Sequence, residues 1–156
     1  MTRHKIIIQF AEDNQSTPNA VLLKSWVKSA LQSYKKNAQV TIRIVSSEES
    51  AQLNEQYRHK KGPTNVLSFP YELPDGIKMT TPLLGDIAIC ANVVNKEAEE
   101  QNKNQKAHWA HIVIHGVLHL LGYNHIEEQE AIEMESLEIK ILHNLGFQNP
   151  YIIGED

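Results

Sequence analysis

The sequence predicts an α+β fold in which about four strands form a sheet packed against helices. In the first two thirds of the chain, short segments of β-strand pattern lie between helical segments, whereas the last third is helical in pattern throughout. A chain of this length can bury roughly two thirds of its unfolded surface in one core. Residues 1–156 are therefore expected to form a single domain.

Strands are predicted where β-branched residues alternate with polar residues or form a short apolar run. In the second strand, Val40, Ile42 and Ile44 alternate with polar residues, which is typical of a half-buried strand. Proline and glycine residues around Gly76 mark a loop before the last strand. The four predicted strands are Lys5 to Phe10, Gln39 to Val45, Thr64 to Phe69 and Leu83 to Cys90.

Helices are predicted from capping residues and from apolar residues at helical spacing. Thr17 and Pro18 form a cap followed by proline at the first helical position, and Ser46 with Glu49 forms a capping box. Gly146 lies where a glycine ends a helix. The five predicted helices are Pro18 to Lys35, Ser46 to Tyr57, Asn92 to Gln101, Lys106 to Leu121 and Glu127 to Leu145.

The last helix is predicted to have an apolar inner face and an acidic start. The inner face is formed by Ile132, Met134, Leu137, Ile141 and Leu145. Six acidic residues between Glu127 and Glu138, Glu138 included, are interpreted as complementing the helix dipole, which is mainly a contribution to stability. A polyanionic ligand would then approach from the opposite, basic side.

The composition is that of an ordinary globular protein, with 41% hydrophobic and 22% charged residues. The single cysteine, Cys90, excludes an internal disulfide and a multi-cysteine zinc site, and it suits a reducing compartment. The apolar run from Ile6 to Ile8 is too short for a signal peptide or a membrane anchor. These features predict a cytoplasmic protein that does not bind a membrane.

Charge is distributed unevenly along the chain. Residues 1–61 carry ten Lys/Arg against five Asp/Glu, and residues 62–156 carry five against fourteen, so that +5 and −9 sum to the net charge of −4. A nucleic acid would have to bind at a local basic surface, because the molecule as a whole repels phosphate. Arg58, Lys60 and Lys61 provide such a surface after the second helix.

Five of the eight histidines fall between residues 108 and 125. In a helix, His111, His115 and His119 lie four residues apart on one stripe, with roughly 6 Å of rise between neighbours. His115 and His119 can therefore bind one cation from the same side. Gly122 can adopt the left-handed conformation that ends a helix and turns the chain back, which would bring His125 to the same cation.

Three neutral imidazoles suit zinc at about 2.0 to 2.1 Å and leave a fourth position for water. His115, His119 and His125 therefore predict one catalytic zinc ion per chain, held by a helix at the centre of the fold. The spacing also matches that of metzincin proteases, but Gly116 stands where those enzymes have a glutamate as general base. This difference disfavours a peptidase, and the missing side chain is expected to leave space beside the metal for a polyanionic substrate.

Several blocks of residues have a distinctive sequence. The most specific is HGVLHLLGYNH at residues 115–125. The others are Tyr57-Arg58, Pro63 to Pro70, Leu84 to Ile87 and His108 to His111. Together these blocks span most of the chain. In sequence and in order they resemble the corresponding blocks of the YbeY family of bacterial rRNA-maturation endoribonucleases.

The resemblance implies a small α+β fold with zinc in a cleft, and the activity of a single-strand-specific metallo-endoribonuclease. It further implies a role in maturation of the 3′ end of 16S rRNA and in quality control of assembled 70S ribosomes. The partners would be single-stranded rRNA and the ribosome or its small subunit, and not DNA. Asn124 stands where the family usually has aspartate, which could weaken metal affinity or alter the bound water.

Arg58 matches the arginine of the family and is interpreted as the group that stabilises negative charge on the phosphate, with His115 and His119 completing the catalytic set. The alternative is a surface arginine that complements the dipole at a helix C-terminus. His111 could orient a ligand, contact the substrate or shuttle a proton.

Two further candidates are open to alternative interpretations. Asp86 could accept a hydrogen bond from a metal-ligating histidine, or be an ordinary turn aspartate. Lys61 could contact phosphate, or be simply solvated. His108 is expected at the solvent end of the histidine stripe, and no role is assigned to it.

Three functions are compatible with these residues. The leading one is a zinc-dependent endoribonuclease acting on single-stranded rRNA. The others are a ribosome-associated RNA-binding assembly factor with a structural zinc, and a metallopeptidase. The residues do not decide whether water or the RNA 2′-hydroxyl attacks the phosphate.

Overall fold

A computed structural model describes residues 3–11, 16–71, 83–124 and 126–151, and these residues contain four strands and five helices. The α+β class is confirmed, whereas the predicted loop around Gly76 lies outside the described residues. The strands are β1 (Lys5–Phe10), β2 (Gln39–Val45), β3 (Val66–Pro70) and β4 (Leu83–Cys90). The helices are α1 (Ala20–Ala30), α2 (Ser47–Arg58), α3 (Ala91–Glu100), α4 (Gln105–Leu120) and α5 (Glu128–Asn144).

The strands form one mixed sheet in the order β1-β2-β4-β3. The pairs β1–β2 and β2–β4 are parallel, and β3 pairs with β4 in the antiparallel direction. Parallel neighbours need a crossover connection, and α1 provides one between β1 and β2. β3 begins at Val66, later than predicted, and it includes Pro70, which a strand at the edge of a sheet tolerates.

The two faces of the sheet contribute to different apolar clusters. Successive side chains of a strand point to opposite faces, so Ile87 of β4 joins the main core with α4, whereas Ala88 and Cys90 belong to a smaller cluster on the other face. Asp86 shares the face of Ala88 and is exposed. This alternation determines which polar side chains of β4 can reach the histidines of α4.

Helix α1 begins two residues later than the sequence predicts. Its N-cap is Asn19, whose side-chain oxygen accepts a hydrogen bond from the backbone N–H of Leu22 at 2.9 Å. The prediction that Thr17 caps this helix before Pro18 is wrong, and asparagine is the stronger N-cap of the two residue types.

Helix α4 lies at the centre of the fold, as predicted for the helix that carries most of the histidines. Ten of its 16 residues are buried. It contacts α1, α3 and α5 as well as β3 and β4. Packing on several sides fixes the rotation of α4 about its axis, and this rotation sets the direction in which its histidines point.

Helix α5 buries a carboxylate in its apolar face. Met134 and Ile141 are buried as predicted, but the prediction is wrong for Ile132, whose exposure is 52%. Glu138, which has 0% exposure, lies between the two buried apolar residues on the same stripe. The chain therefore has a buried acidic side chain where α5 packs against α4.

The predicted end of α5 at Gly146 is confirmed. Gly146 has a φ of +90°, and its N–H donates to the carbonyl of His143 at 2.9 Å. Over the part of the chain that the structure describes, no helix has the length and apolar character needed to cross a membrane.

Candidate active site

Two histidines of α4 converge in the structure. The Nε2 atoms of His115 and His119 lie 3.0 Å apart, and the ring centroids are 4.5 Å apart. Both side chains are partly exposed, because they lie on the stripe of α4 that its neighbours leave uncovered. This arrangement brings together two of the three predicted zinc ligands.

The chain turns sharply after these histidines. Gly122 has a φ of +101°, its N–H donates to the carbonyl of His119 at 3.1 Å, and the N–H of Tyr123 donates to that of Leu118 at 3.0 Å. This pair of bonds is the Schellman motif, which needs the left-handed conformation that glycine adopts readily. The predicted conformation of Gly122 is confirmed, whereas His125 lies outside the described residues and stays a predicted ligand.

A cleft of about 180 Å³ opens beside the histidine pair. Arg58 ends α2, and the next residue, His59, has a left-handed φ of 58° that turns the basic loop back toward β3. The cleft thus combines imidazole nitrogens with two cationic side chains, Arg58 and Lys60. Its lining residues are Asn54, Arg58, Lys60, Thr64, Asn65, Val66, Leu67, Ser68, His115 and His119.

The opposite side of His115 contacts the buried carboxylate of α5. The Nδ1 atom of His115 lies 2.7 Å from Oε2 of Glu138, and Nε2 of His111 lies 3.3 Å from the same oxygen. Tyr151 donates its hydroxyl proton to Oε1 of Glu138. Three side chains therefore surround one carboxylate that has 0% exposure.

These contacts keep Glu138 ionised. Burial on its own would raise the pKa of this carboxyl, but hydrogen bonds from His111, His115 and Tyr151 outweigh it and lower the pKa from 4.5 to about 2. Burial and the neighbouring Glu138 raise the pKa of the Tyr151 hydroxyl, which keeps its proton. The interpretation of Glu138 as one of six acidic residues that complement the helix dipole did not foresee these contacts, because Glu138 lies beyond the first turn of α5 and is buried.

Sequence reasoning missed Glu138 and Tyr151. The available signal for Glu138 was its place on the stripe of Met134 and Ile141, where a charged residue interrupts an apolar face. Tyr151 follows the last helix in a segment without a helical or strand pattern, so nothing local predicted its contact with the site.

A second group of potential metal ligands overlaps the predicted one. The ligand atoms of His111, His115 and Glu138 all lie within 4.8 Å of one another, so these three side chains could hold a metal ion. His115 belongs to both groups, with Nδ1 directed to Glu138 and Nε2 to His119. The structure therefore contains a cluster able to bind a metal ion. Nδ1 of His115 faces the part of the cluster that contains Glu138, and Nε2 faces His119.

Three other predicted residues do not line the cleft beside the histidine pair. Asp86 is exposed and shares the face of β4 that carries Ala88, not the face on which Ile87 packs with α4. Of the two interpretations left open for Asp86, this placement favours the ordinary aspartate. Lys61 is exposed in the loop after α2. Asn124 accepts a hydrogen bond from the backbone N–H of Ile126 at 3.3 Å, and it lines a different cavity with Tyr123.

His108 is buried rather than at the solvent end of the stripe, with 6% exposure. Its Nε2 atom lies 3.0 Å from Oε1 of Glu97 on α3. Burial opposes the negative charge of Glu97, but hydrogen bonds with His108 and Asn65 outweigh burial and lower the pKa of this carboxyl. His108 therefore connects α4 to α3.

Gly116 is packed against the sheet. A Cβ atom at this position would lie 3.1 Å from Cγ2 of Ile87 and 3.3 Å from Cγ2 of Val66. The expectation that the missing side chain leaves space for a substrate is wrong, because strand side chains already fill that space. A side chain at this position would require the side chains of Ile87 and Val66 to shift by a few tenths of an ångström.

Two comparisons with known proteins indicate one family, and a third finds a solved structure with a similar fold. A family model described as Endoribonuclease YbeY matches residues 8–146. A protein named Endoribonuclease YbeY from Nitrosococcus oceani is 54% identical over 144 residues, which are 92% of this chain and 94% of that protein. A solution structure of a protein from Thermotoga maritima aligns with a TM-score of 0.61 and 26% identity, and covers 94% of this chain and 99% of that one.

Proposed function

The chain belongs to the YbeY family of endoribonucleases, and we propose that it uses zinc to cleave single-stranded rRNA. It is accordingly a hydrolase that acts on RNA. The proposal assigns His115, His119 and His125 to one zinc ion and Arg58 to the phosphate. It treats residues 1–156 as one metallo-endoribonuclease domain that acts in the cytoplasm.

The observation that carries the proposal is the shared cleft. Arg58 comes from α2 and the histidine pair from α4, yet all three side chains line the same cavity. Cleavage of a phosphodiester builds negative charge on phosphate oxygens, and positioned cationic donors stabilise that charge. A cleft that combines a guanidinium with metal-binding imidazoles fits this chemistry.

The residues present fit a zinc ion. The ring nitrogens of His115 and His119 face one another, and neutral imidazole nitrogen is a preferred zinc ligand. The chemistry that such an ion supplies is activation of water, whose pKa falls toward about 7, or polarisation of a phosphate oxygen. His125 is the proposed third ligand because Gly122 turns the chain back after His119.

The protein side chains have separate roles in this proposal. Arg58 presents a planar fork of donors, which can bind two phosphate oxygens at once. Lys60 adds a second positive charge to the cleft wall. Ser68 also lines the cleft, but its hydroxyl donates to the backbone carbonyl of Gly116 at 3.0 Å, and so it is assigned to structure rather than to nucleophilic attack.

The ribosomal assignment extends the RNA assignment. We propose that the substrate is the 3′ end of 16S rRNA and that the enzyme also acts in quality control of assembled 70S ribosomes. The local basic surface of Arg58 and Lys60 supports a polyanionic partner, since the chain as a whole carries a net charge of −4.

The test compares cleavage of single-stranded RNA, duplex RNA and casein by wild-type protein, Arg58→Ala and His119→Ala, each with and without zinc. We expect the wild type to cleave single-stranded RNA only when zinc is bound. Both variants should lose this activity, His119→Ala together with zinc binding and Arg58→Ala without losing zinc.

Each other outcome contradicts the proposal in a distinct way. Full RNA cleavage by metal-free protein would exclude the metal mechanism. Tight RNA binding without cleavage would favour an assembly factor with a structural zinc. Casein cleavage that disappears with the metal would favour a peptidase.

A further inference from the structure

The buried carboxylate of α5 lies directly behind the proposed metal site. We propose that Glu138 is a positioning residue that fixes the proton of His115 on Nδ1 and thereby leaves Nε2 to bind the cation. The inference rests on the proposed function, because it assumes that the ion is held by the Nε2 atoms of His115 and His119.

The first step concerns the two nitrogens of His115. Nδ1 lies 2.7 Å from Oε2 of Glu138, and Nε2 lies 3.0 Å from Nε2 of His119. A carboxyl group is a stronger acid than an imidazolium, so across this 2.7 Å contact the proton belongs to Nδ1 of His115 and the carboxylate oxygen accepts it. A neutral ring with its proton on Nδ1 has its lone pair on Nε2, on the side that faces the cleft.

The second step concerns what holds Glu138 in place. The hydroxyl of Tyr151 donates to Oε1, while His111 and His115 approach Oε2 at 3.3 and 2.7 Å. Such contacts are what a carboxylate with 0% exposure requires, since an unpaired buried charge is strongly unfavourable. Both oxygens are therefore occupied, and the position of Glu138 is fixed from two other segments of the chain.

The third step is energetic. A negative charge bonded to the far nitrogen makes an imidazole a stronger base and a better metal ligand. Because the carboxylate is buried, its charge acts on His115 with little screening by water. Loss of such a partner typically weakens metal binding by about 10- to 100-fold.

A competing arrangement uses the same side chains as ligands. A cation held by His111, His115 and Glu138 would take the lone pair of His115 Nδ1 and would therefore require the proton on Nε2. The two arrangements cannot coexist on one imidazole. They predict opposite protonated forms of His115 and different sensitivity to substitution of His111 and His119.

The experiment measures zinc affinity by competition with a chelator, and the protonated nitrogen of His115 by ¹⁵N NMR of the metal-free protein. The variants are Glu138→Gln, His119→Ala and His111→Ala, and Glu133→Gln is the matched control. Glu133 is an exposed residue of α5, so its substitution removes the same charge from the same helix.

We expect the wild-type His115 to carry its proton on Nδ1. Glu138→Gln should bind zinc about 10- to 100-fold more weakly, whereas Glu133→Gln should stay within about twofold of the wild type. His119→Ala should lose zinc binding, and His111→Ala should lose less affinity than His119→Ala.

Different results overturn different claims. Zinc binding that survives His119→Ala but not His111→Ala would refute the proposed metal site and favour the competing ligands. If His119→Ala loses zinc binding while Glu138→Gln keeps the wild-type affinity, the proposed role of Glu138 is refuted but the proposed metal site is not. If Glu138→Gln does not fold, the wild-type spectrum still decides, because a proton on Nε2 of His115 contradicts the inference.

Discussion

The Nε2 atoms of His115 and His119 face each other across 3.0 Å because the two residues are one helical turn apart on a helix whose rotation is fixed by packing. The proposed third ligand depends on a different feature. Gly122, with a φ of +101°, reverses the chain before residue 125. The helix thus brings the side chains of His115 and His119 together, and the conformation of Gly122 sets the direction of the chain after them.

Replacing Gly122 by alanine should weaken both the fold and metal binding. The left-handed conformation costs an alanine about 1–2 kcal/mol, although no described atom lies within 4 Å of the added Cβ. If the metal-free variant adopts another conformation at this position, zinc binding must supply the free energy that restores the turn. The zinc affinity then falls by about tenfold. Urea denaturation of the metal-free protein and a zinc competition assay measure the two effects.

Gly146→Ala is the matched control for this substitution. Gly146 also ends a helix, has a φ of +90°, and has no described atom within 4 Å of an added Cβ. Its replacement should reduce the free energy of unfolding by a similar amount and leave zinc affinity unchanged. Equal losses of affinity in both variants would contradict the role of Gly122 in placing His125.

Ser68→Ala should reduce stability and preserve activity. The hydroxyl donates to the carbonyl of Gly116 at 3.0 Å and joins β3 to α4, so its removal should lower the free energy of unfolding by about 1 kcal/mol. Chemical denaturation and the single-stranded RNA assay test this expectation, with Ser25→Ala on the exposed face of α1 as control. A large fall in kcat at unchanged stability would instead identify Ser68 as a catalytic residue.

The sequence predicted the elements well because their patterns are local. Alternation from Val40 to Ile44 and the Ser46–Glu49 cap depend on neighbours within a few residues, and both features occur in the structure, where Ser46 Oγ accepts from the Glu49 N–H at 3.1 Å. The histidine stripe and the turn at Gly122 are likewise properties of one helix and its end.

The surroundings of the histidines were not predictable in this way. The environment of Glu138 depends on α4 and on Tyr151, which is 13 residues further along the chain. The two interpretations of Asp86 could not be separated because its neighbourhood in sequence does not reveal which face of β4 packs against α4. To predict that His108 is buried against Glu97, one would need to know how α3 packs against α4.

The pair of Glu97 and His108 should make stability depend on pH in the acid range. The folded protein lowers the pKa of Glu97 below 4.5, so this carboxylate contributes stability that is fully present above that pH. The contribution is lost as the pH falls through the lowered pKa, because the proton then binds in the folded state as well. The interactions that lower the pKa of Glu97 come from His108 of α4, from Asn65 and from Lys103.

Urea denaturation of wild type and Glu97→Gln between neutral pH and pH 3 tests this linkage. The wild type should be the more stable protein near neutral pH, and the difference between the two should shrink as the solution is acidified below about pH 4.5. Glu99→Gln, at an exposed position of the same helix, provides the control. A difference that stays constant down to pH 3 would show that Glu97 and His108 are not coupled by charge.

Arg58 should affect the rate of RNA cleavage and not metal binding. Arg58 lines the cleft beside His115 and His119, and a guanidinium there can stabilise charge that develops on the phosphate. Arg58→Ala should therefore lower kcat by about 10²- to 10³-fold, the loss typical of removing one such donor. Arg58→Lys keeps the charge but not the forked geometry, and it should recover only part of the rate.

The control for Arg58 is Arg3→Ala, because Arg3 is an exposed arginine that precedes β1. The Arg3→Ala protein should cleave RNA at the wild-type rate. This result would separate a local effect of Arg58 from the loss of one positive charge on the molecule. Zinc content and the free energy of unfolding should be the same in all three variants as in the wild type. A folded, zinc-loaded Arg58→Ala protein with the wild-type kcat would show that the phosphate is stabilised by other groups, and Lys60 on the same cleft wall would be the next side chain to replace.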